Sequence, residues 1–200
     1  MISKPKYKIG RRLGAGVYDK CQTPKFAASM KDPRASGRRP KAPSEYGAQL
    51  LEKQKVRFSY GITERQLANY VKKATHIKGT GTVPKLFESL ESRLDNAIYR
   101  MGLAPSRRAA RQMVSHGHFI VNSHRVTIPS YELKAGDVVK VREGSKPRKI
   151  FENLADRLKD YNAPKWIAWN TELMEGKMLN KPENTETFLD LNAVLEFYSR

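Results

Sequence analysis

Residues 92–125 read SRLDNAIYRMGLAPSRRAARQMVSHGHFIVNSHR. Leu94, Ala97, Ile98 and Met101 recur at i, i+3, i+4 and i+7, the period of an amphipathic helix. The stripe extends upstream through Leu90 and Leu86 to Pro84, so the spacing predicts one helix from Pro84 to a stop at Gly102. Gly102 to Pro105 is a tight turn, and Ser106 caps a further helix with Ala110, Met113 and Val114 inward, stopped at Gly117. The period then changes to two. Phe119-Ile120-Val121 is a short strand, Asn122-Ser123 a turn, Val126 to Ile128 a second short strand, and Val138 to Arg142 the clearest one. The polar positions are cationic: Arg93, Asn96 and Arg100 share one side of the first helix, and Arg107, Arg108, Arg111, Gln112 and His116 follow on the second. No acidic residue stands between Asp95 and Glu132, whereas a solvated helix face normally mixes signs. Ser106 leaves helix N-terminal amides beside these arginines, an arrangement suited to phosphate.

Upstream, Ser44 caps a helix to about Tyr60, with Tyr46, Leu50 and Leu51 expected inside and Lys53, Lys55 and Arg57 outside. Thr63-Glu64-Arg65-Gln66 is a capping box for a helix carrying Leu67, Tyr70, Val71 and Ala74. Residues 1–43 read as irregular, because five prolines and four glycines interrupt them. Downstream, a helix is expected over Arg148–Asp160 with Ile150, Phe151, Leu154 and Leu158 on one face, followed by a packed, partly strand-like extension containing Trp166 and Trp169. The fold class is therefore α+β: a basic extended N-terminal segment, a mostly helical first domain, and a second domain with two helices on a small, mainly antiparallel sheet. The expected domains are residues 1–43, 44–91 with 160–200, and 92–159.

The 200 residues hold 38 Lys and Arg against 20 Asp and Glu, a formal net charge of +18, with 39% hydrophobic residues. A core is affordable, and the charge excess calls for a polyanion. The excess is uneven: residues 1–43 contain twelve basic side chains against Asp19 and Asp32, while residues 151–200 contain six basic and nine acidic ones. The single Cys21 excludes an internal disulfide and any zinc module that needs two cysteines. No stretch approaches the roughly 18 apolar residues of a membrane helix. Ile9-Gly10-Arg11-Arg12 stands where a signal peptide would be apolar, and serine is scarce for a transit peptide.

Catalytic constellations are missing. Cys21 has no local histidine partner, and His116-Gly117-His118 lacks further ligands at metal-site spacing. Gly14-Ala15-Gly16 lacks the third glycine of a dinucleotide fingerprint, and Gly79-Thr80-Gly81-Thr82 lacks the Gly-Lys-Ser/Thr of a P-loop. Two other readings compete with a structural RNA binder. An RNA-modifying enzyme would need a catalytic group outside residues 92–150. A membrane-surface binder would place Trp or Phe on a basic amphipathic helix, whereas both tryptophans lie in the acidic quarter.

Arg93-Leu94-Asp95, Arg100-x-Gly102, Ser106-Arg107-x-x-Ala110-Arg111-Gln112 and Gly117-x-x-x-Val121-Asn122 resemble the helix–turn–helix-plus-hairpin RNA-binding module shared by ribosomal, pseudouridine-synthase and tyrosyl-tRNA-synthetase proteins. Arg38-Arg39-Pro40, the run from Ser44 to Arg57, Tyr60-Gly61-x-x-Glu64-Arg65-Gln66, Ser115-His116-x-His118 and Glu196-Phe197-Tyr198-Ser199 extend the resemblance to the family of bacterial small-ribosomal-subunit protein four over nearly the whole chain. The resemblance implies a non-enzymatic, cytoplasmic ribosomal protein without cofactor or metal. It would bind the five-way junction in the 5′ domain of 16S ribosomal RNA, nucleate assembly of the subunit body and influence decoding accuracy. Its other implied partners are small-subunit protein five and messenger RNA where it enters the subunit. Some members repress their own operon. Candidate RNA contacts are Lys4, Lys6, Lys8, Arg11, Arg12, Arg38, Arg39, Lys41, Lys53, Lys55, Arg57, Arg65, Arg93, Asn96, Arg100, Ser106, Arg107, Arg108, Arg111, Gln112, His116, His118, Asn122 and Arg125. Two departures from the family stand out. Cys21 alone cannot hold the zinc that some members carry, and Ser123 replaces the usual turn glycine, which predicts a shifted hairpin turn.

Overall fold

The computed structural model describes residues 5–30, 44–76, 81–152, 154, 158, 161–170, 172–183 and 188–200. It divides into two compact units, Met1–His76 with Thr185–Arg200, and Ile77–Asn184.

The first unit is helical. Its elements are α1 (Lys6–Leu13), short 3₁₀ turns at Ala15–Val17 and Asp19–Cys21, α2 (Pro24–Met30), α3 (Glu45–Ser59), α4 (Glu64–His76) and the C-terminal α8 (Leu191–Ser199). Residues 5–30 are thus helical where an extended, irregular segment was expected. Leu13, Val17, Cys21 and Phe26 are all buried, and a small apolar cluster offsets the entropy of ordering a Pro- and Gly-rich stretch. Burial pushes the Cys21 thiol above its usual pKa, against the opposing charge of Lys6, so this cysteine is a packing group. Ser44 caps α3 as expected, its Oγ accepting from the Gly47 amide at 3.2 Å. The capping box of α4 is reciprocal: Gln66 N–H donates to Thr63 Oγ1 and Thr63 N–H to Gln66 Oε1.

The inner face of α3 differs from the expected one. Gln49, Lys53, Val56 and Ser59 are buried, while Tyr46 is 51% exposed and Leu50 and Leu51 are half-buried. The cause is α8, which packs along α3. Gln49 donates to Glu196 at 3.0 Å, and Lys53 Nζ sits 4.1 Å from the Phe197 ring centre.

The second unit places helices on an antiparallel sheet. The helices are α5 (Thr82–Glu91), α6 (Leu94–Arg100) and α7 (Arg107–Ser115); the strands are β1 (Phe119–Val121), β2 (His124–Arg125), β3 (Val138–Val141), β4 (Ile167–Asn170) and β5 (Glu175–Met178). The sheet order is β2-β1-β3-β5-β4, every pair antiparallel. Leu94, Ile98, Met101, Ala110, Val114, Phe119, Val139, Trp166 and Met178 belong to one core. A Cβ at Gly176 would lie 2.6 Å from Met101 Sδ, so glycine in β5 lets the end of α6 reach the sheet.

Several boundaries differ from expectation. The single helix from Pro84 to Gly102 is two, because residues 129–133 cross at residues 92–95. Leu133 N–H donates to Ser92 O and Leu94 N–H to Tyr131 O, both at 2.8 Å, and Arg93 is extended in a bridge with Glu132. These bonds replace the helical ones that a continuous stripe would have used. The second hairpin strand is His124–Arg125 and not Val126–Ile128, since the turn stays at Asn122-Ser123. Both turn residues take positive φ, 47° and 72°, so Ser123 itself adopts the conformation expected to need glycine. Residues 148–152 are turns and Ile150 is exposed; Leu154 and Leu158 are helical and face the core, and the rest of that expected helix lies outside the described residues. The expected grouping of 44–91 with 160–200 also changes. β5 pairs with β3, which carries Trp166, Ile167 and Met178 into the core of the second unit, and α5 belongs there as well.

Candidate nucleic-acid interface

The cationic surface of the second unit is built on α7. Ser106 is its N-cap, with Oγ accepting from Ala109 N–H at 3.3 Å. Ala110, Met113 and Val114 face inward, which turns Arg108, Gln112 and His116 outward in a row four residues apart. Among the described residues no carboxylate pairs with Arg108. The helix stops at Gly117, φ +71°, and there the hairpin joins the row. A Cβ at Gly117 would meet Arg125 Nε at 2.3 Å, so the β2 guanidinium lies directly against this glycine. Arg125 also donates weakly, at 3.4 Å, to the His116 carbonyl. Arg108, Gln112, His116 and Arg125 therefore form one continuous exposed strip.

Beneath it lies a layer that charge counting along the sequence missed. Glu91 and Asp95 are both buried. Asp95 accepts from Arg93 Nε at 3.0 Å and Nη2 at 2.8 Å, and from Arg111 Nε at 3.1 Å. Glu91 accepts from Arg100 Nε and Nη2, at 2.8 and 2.9 Å, and from Asn96 Nδ2 at 2.8 Å. Arg107 Nε donates to Asn96 Oδ1 at 2.7 Å, while its guanidinium lies 4.5 Å from the Tyr99 ring centre and 3.8 Å from Glu91. Arg93 is 1% exposed and Asn96 is buried, so neither forms the expected surface contact; Arg93 braces Asp95, and Asn96 links Glu91 of α5 to Arg107 of α7. Arg100, Arg107 and Arg111 keep exposed edges but are held in fixed planes by charge-assisted bonds.

Two further expected contacts are redirected. His118 is buried, its Nδ1 3.0 Å from Ser145 Oγ and its ring edge-on to Phe151. Burial foremost, then the nearby Arg148, His116, Arg142 and Arg125 charges, hold its pKa below the ordinary histidine value. It is a neutral core group. Asn122 remains exposed but locks the turn: its Nδ2 donates to Asp137 at 2.7 Å and its Oδ1 accepts from Val138 N–H at 3.0 Å. The charges that act on His118 include Arg142 and Arg148, two basic residues outside the motifs quoted above.

In the first unit, Lys8, Arg11, Arg12 and Arg65 are exposed, and Lys6 is half-buried with Nζ 5.8 Å from the Tyr18 ring centre. Lys53 points inward to Glu64 at 2.9 Å, so it leaves the candidate surface. Lys55 pairs with Glu52 and Arg57 with Glu64 at 3.2 Å. Burial raises the Glu64 pKa, but bonds from Lys53, Tyr198 and Arg57 outweigh it and hold the carboxyl below its usual value. Lys4, Arg38, Arg39 and Lys41 lie outside the described residues. Among the described residues no group of three or more His, Cys, Asp or Glu is placed to hold a metal ion, and no helix is long and apolar enough to cross a membrane.

Two family models match consecutive parts of the chain: the ribosomal protein S4/S9 N-terminal domain over residues 2–91, and the S4 domain over residues 92–139. The small ribosomal subunit protein uS4 of Christiangramia forsetii is 44% identical, covering 98% of this chain and 97% of its own length. The chain belongs to the uS4 family. The uS4 proteins of Halothermothrix orenii and Acetivibrio thermocellus are 41% and 43% identical, each covering at least 96% of both chains. The uS4 family is structural and ribosomal, not enzymatic, and its RNA-binding S4 domain coincides with α6, α7 and the hairpin described above.

Proposed function

We propose that the chain is a primary binder of the 5′ domain of 16S ribosomal RNA at its five-way junction, nucleates assembly of the small-subunit body and contributes to translational accuracy. It acts in the cytoplasm, within the ribosome, and its neighbours there include small-subunit protein five and messenger RNA where it enters. The observation that carries the reading is the continuous strip Arg108–Gln112–His116–Arg125, backed by arginines whose planes are fixed by Glu91 and Asp95. A rigid cationic relief of this kind reads RNA shape and phosphate positions, and counterion release supplies the affinity. Chemical footprinting of the protein on small-subunit ribosomal RNA tests it. Protections clustered in the 5′ domain are expected; protections confined to other domains contradict the assignment.

A further inference from the structure

A groove of about 550 Å³ opens in the first unit, where α1 packs on α3. Its walls combine Lys8 and Arg12 from α1 with Gln54 and Arg57 from α3, and its floor includes Leu13 and Phe58. No acidic residue lines it. Lys8 and Arg12 stand four residues apart on one helix face, a like-charge pair that repels. Among the described residues neither pairs with a carboxylate. Arg57 is braced by Glu64 on one side and lies 4.8 Å from the Phe58 ring centre.

A purely phosphate-binding surface has no use for a recessed aromatic and aliphatic floor, and an apolar ligand has no use for three cations and an amide at the rim. The combination is that of a stacking platform inside an electrostatic funnel, the arrangement by which unpaired nucleotides are held. We infer that this groove takes one unpaired nucleotide of the RNA, its base on Phe58 and Leu13 and its phosphate between Lys8 and Arg12. The inference rests on the RNA-binding reading above but concerns a separate surface with a different kind of contact: the α7 strip reads structured RNA, and the groove holds a splayed-out base.

The test is a nuclear magnetic resonance titration of the full chain with pentauridine RNA, with an oligomer of the same length abasic at every position, and with pentaglutamate. Pentauridine is expected to shift the Ile9 and Phe58 resonances. The abasic oligomer should bind about tenfold more weakly, the order of one lost base–aromatic stack. Arg12→Gln, on an exposed helix face, and Phe58→Leu, which keeps the floor apolar, should each weaken pentauridine about tenfold with the spectrum otherwise folded. The inference is overturned if the groove resonances do not move, if the abasic oligomer binds equally, or if pentaglutamate binds as well as pentauridine, which would make the groove a site for acidic peptide. A parallel gel shift on 16S 5′-domain RNA separates the two readings. Binding to that RNA without groove shifts fails this inference alone, whereas groove shifts without that binding fail the proposed function alone.

Discussion

In the second unit Arg93, Arg100, Arg107 and Arg111 all reach Glu91, Asp95 or Asn96, whereas in the first unit Lys8 and Arg12 line a groove that holds no carboxylate. Both regions are cationic by sequence. The physical difference is what each charge costs the fold. A guanidinium tied to a buried acid is oriented before RNA arrives, so little side-chain entropy remains to be lost on binding, but the fold depends on the pair. An unpaired exposed cation is unimportant to the fold and must be ordered by its ligand. Under the proposed function, charge counts alone mark where RNA would be attracted, and the buried acids mark where it would meet a preformed surface.

The sharpest way to break this contrast is to remove an acid. Asp95→Ala leaves the 1%-exposed Arg93 guanidinium without its buried partner. The loss of stability should be about 3–5 kcal/mol, the range for breaking a buried pair, read by urea denaturation. A change under about 1 kcal/mol, the range of exposed pairs, would mean the network contributes no more than surface contacts do.

The next lever is pH. His118 is buried neutral, with a depressed pKa, so the unfolded chain binds its proton more readily than the folded one. Its contribution is fully present above the unfolded value of about 6.5 and is lost as pH falls toward the lower folded value. Denaturation midpoints of the wild type should therefore drop between pH 7 and 5, and His118→Gln should flatten that part of the curve. An unchanged slope would show that the buried imidazole is not the group responsible.

The smallest effect belongs to the groove. Arg12→Ala relieves repulsion from Lys8 and introduces the best helix former, so stability should stay level or rise by about 0.5 kcal/mol. A marked destabilisation in thermal melts would show that Arg12 has a structural partner and would erase the contrast with Asp95.

Much of this was legible in the sequence, for identifiable reasons. The caps at Ser44, Thr63 and Ser106 and the inward triad Ala110, Met113 and Val114 are local signals, and all appear in the structure. The row Arg108–Gln112–His116 follows from helical spacing alone. What escaped depends on contacts between distant segments. Lys53 turns inward because α8, more than 130 residues later, supplies Phe197. The helix breaks at Arg93 because residues 129–133 cross it, and no feature near Arg93 announces them. His118 reads as a basic surface residue until residues 145–151 fold back against it and bring Ser145 and Phe151 to its ring. Glu91 and Asp95 sit in plain view, but only the packing of α5, α6 and α7 against one another makes them the anchors of four arginines. Ser123 shows the reverse: the rule that a left-handed turn favours glycine was sound, yet with the two-residue register between β1 and β2 Ser123 itself takes φ 72°.

The proposed function puts phosphates of ribosomal RNA on the exposed strip of α7 and the hairpin. The direct measurement is the affinity of Arg108→Ala/Arg125→Ala for the 16S 5′-domain RNA across a salt series, with circular dichroism as the folding control. Arg108 is exposed and Arg125 makes one weak hydrogen bond, so the fold should persist. Each lost phosphate contact should flatten the log–log salt dependence by roughly 0.7 to 0.9, so the double variant should bind more weakly with a slope smaller by about 1.5. A folded double variant with unchanged affinity and slope would contradict the account.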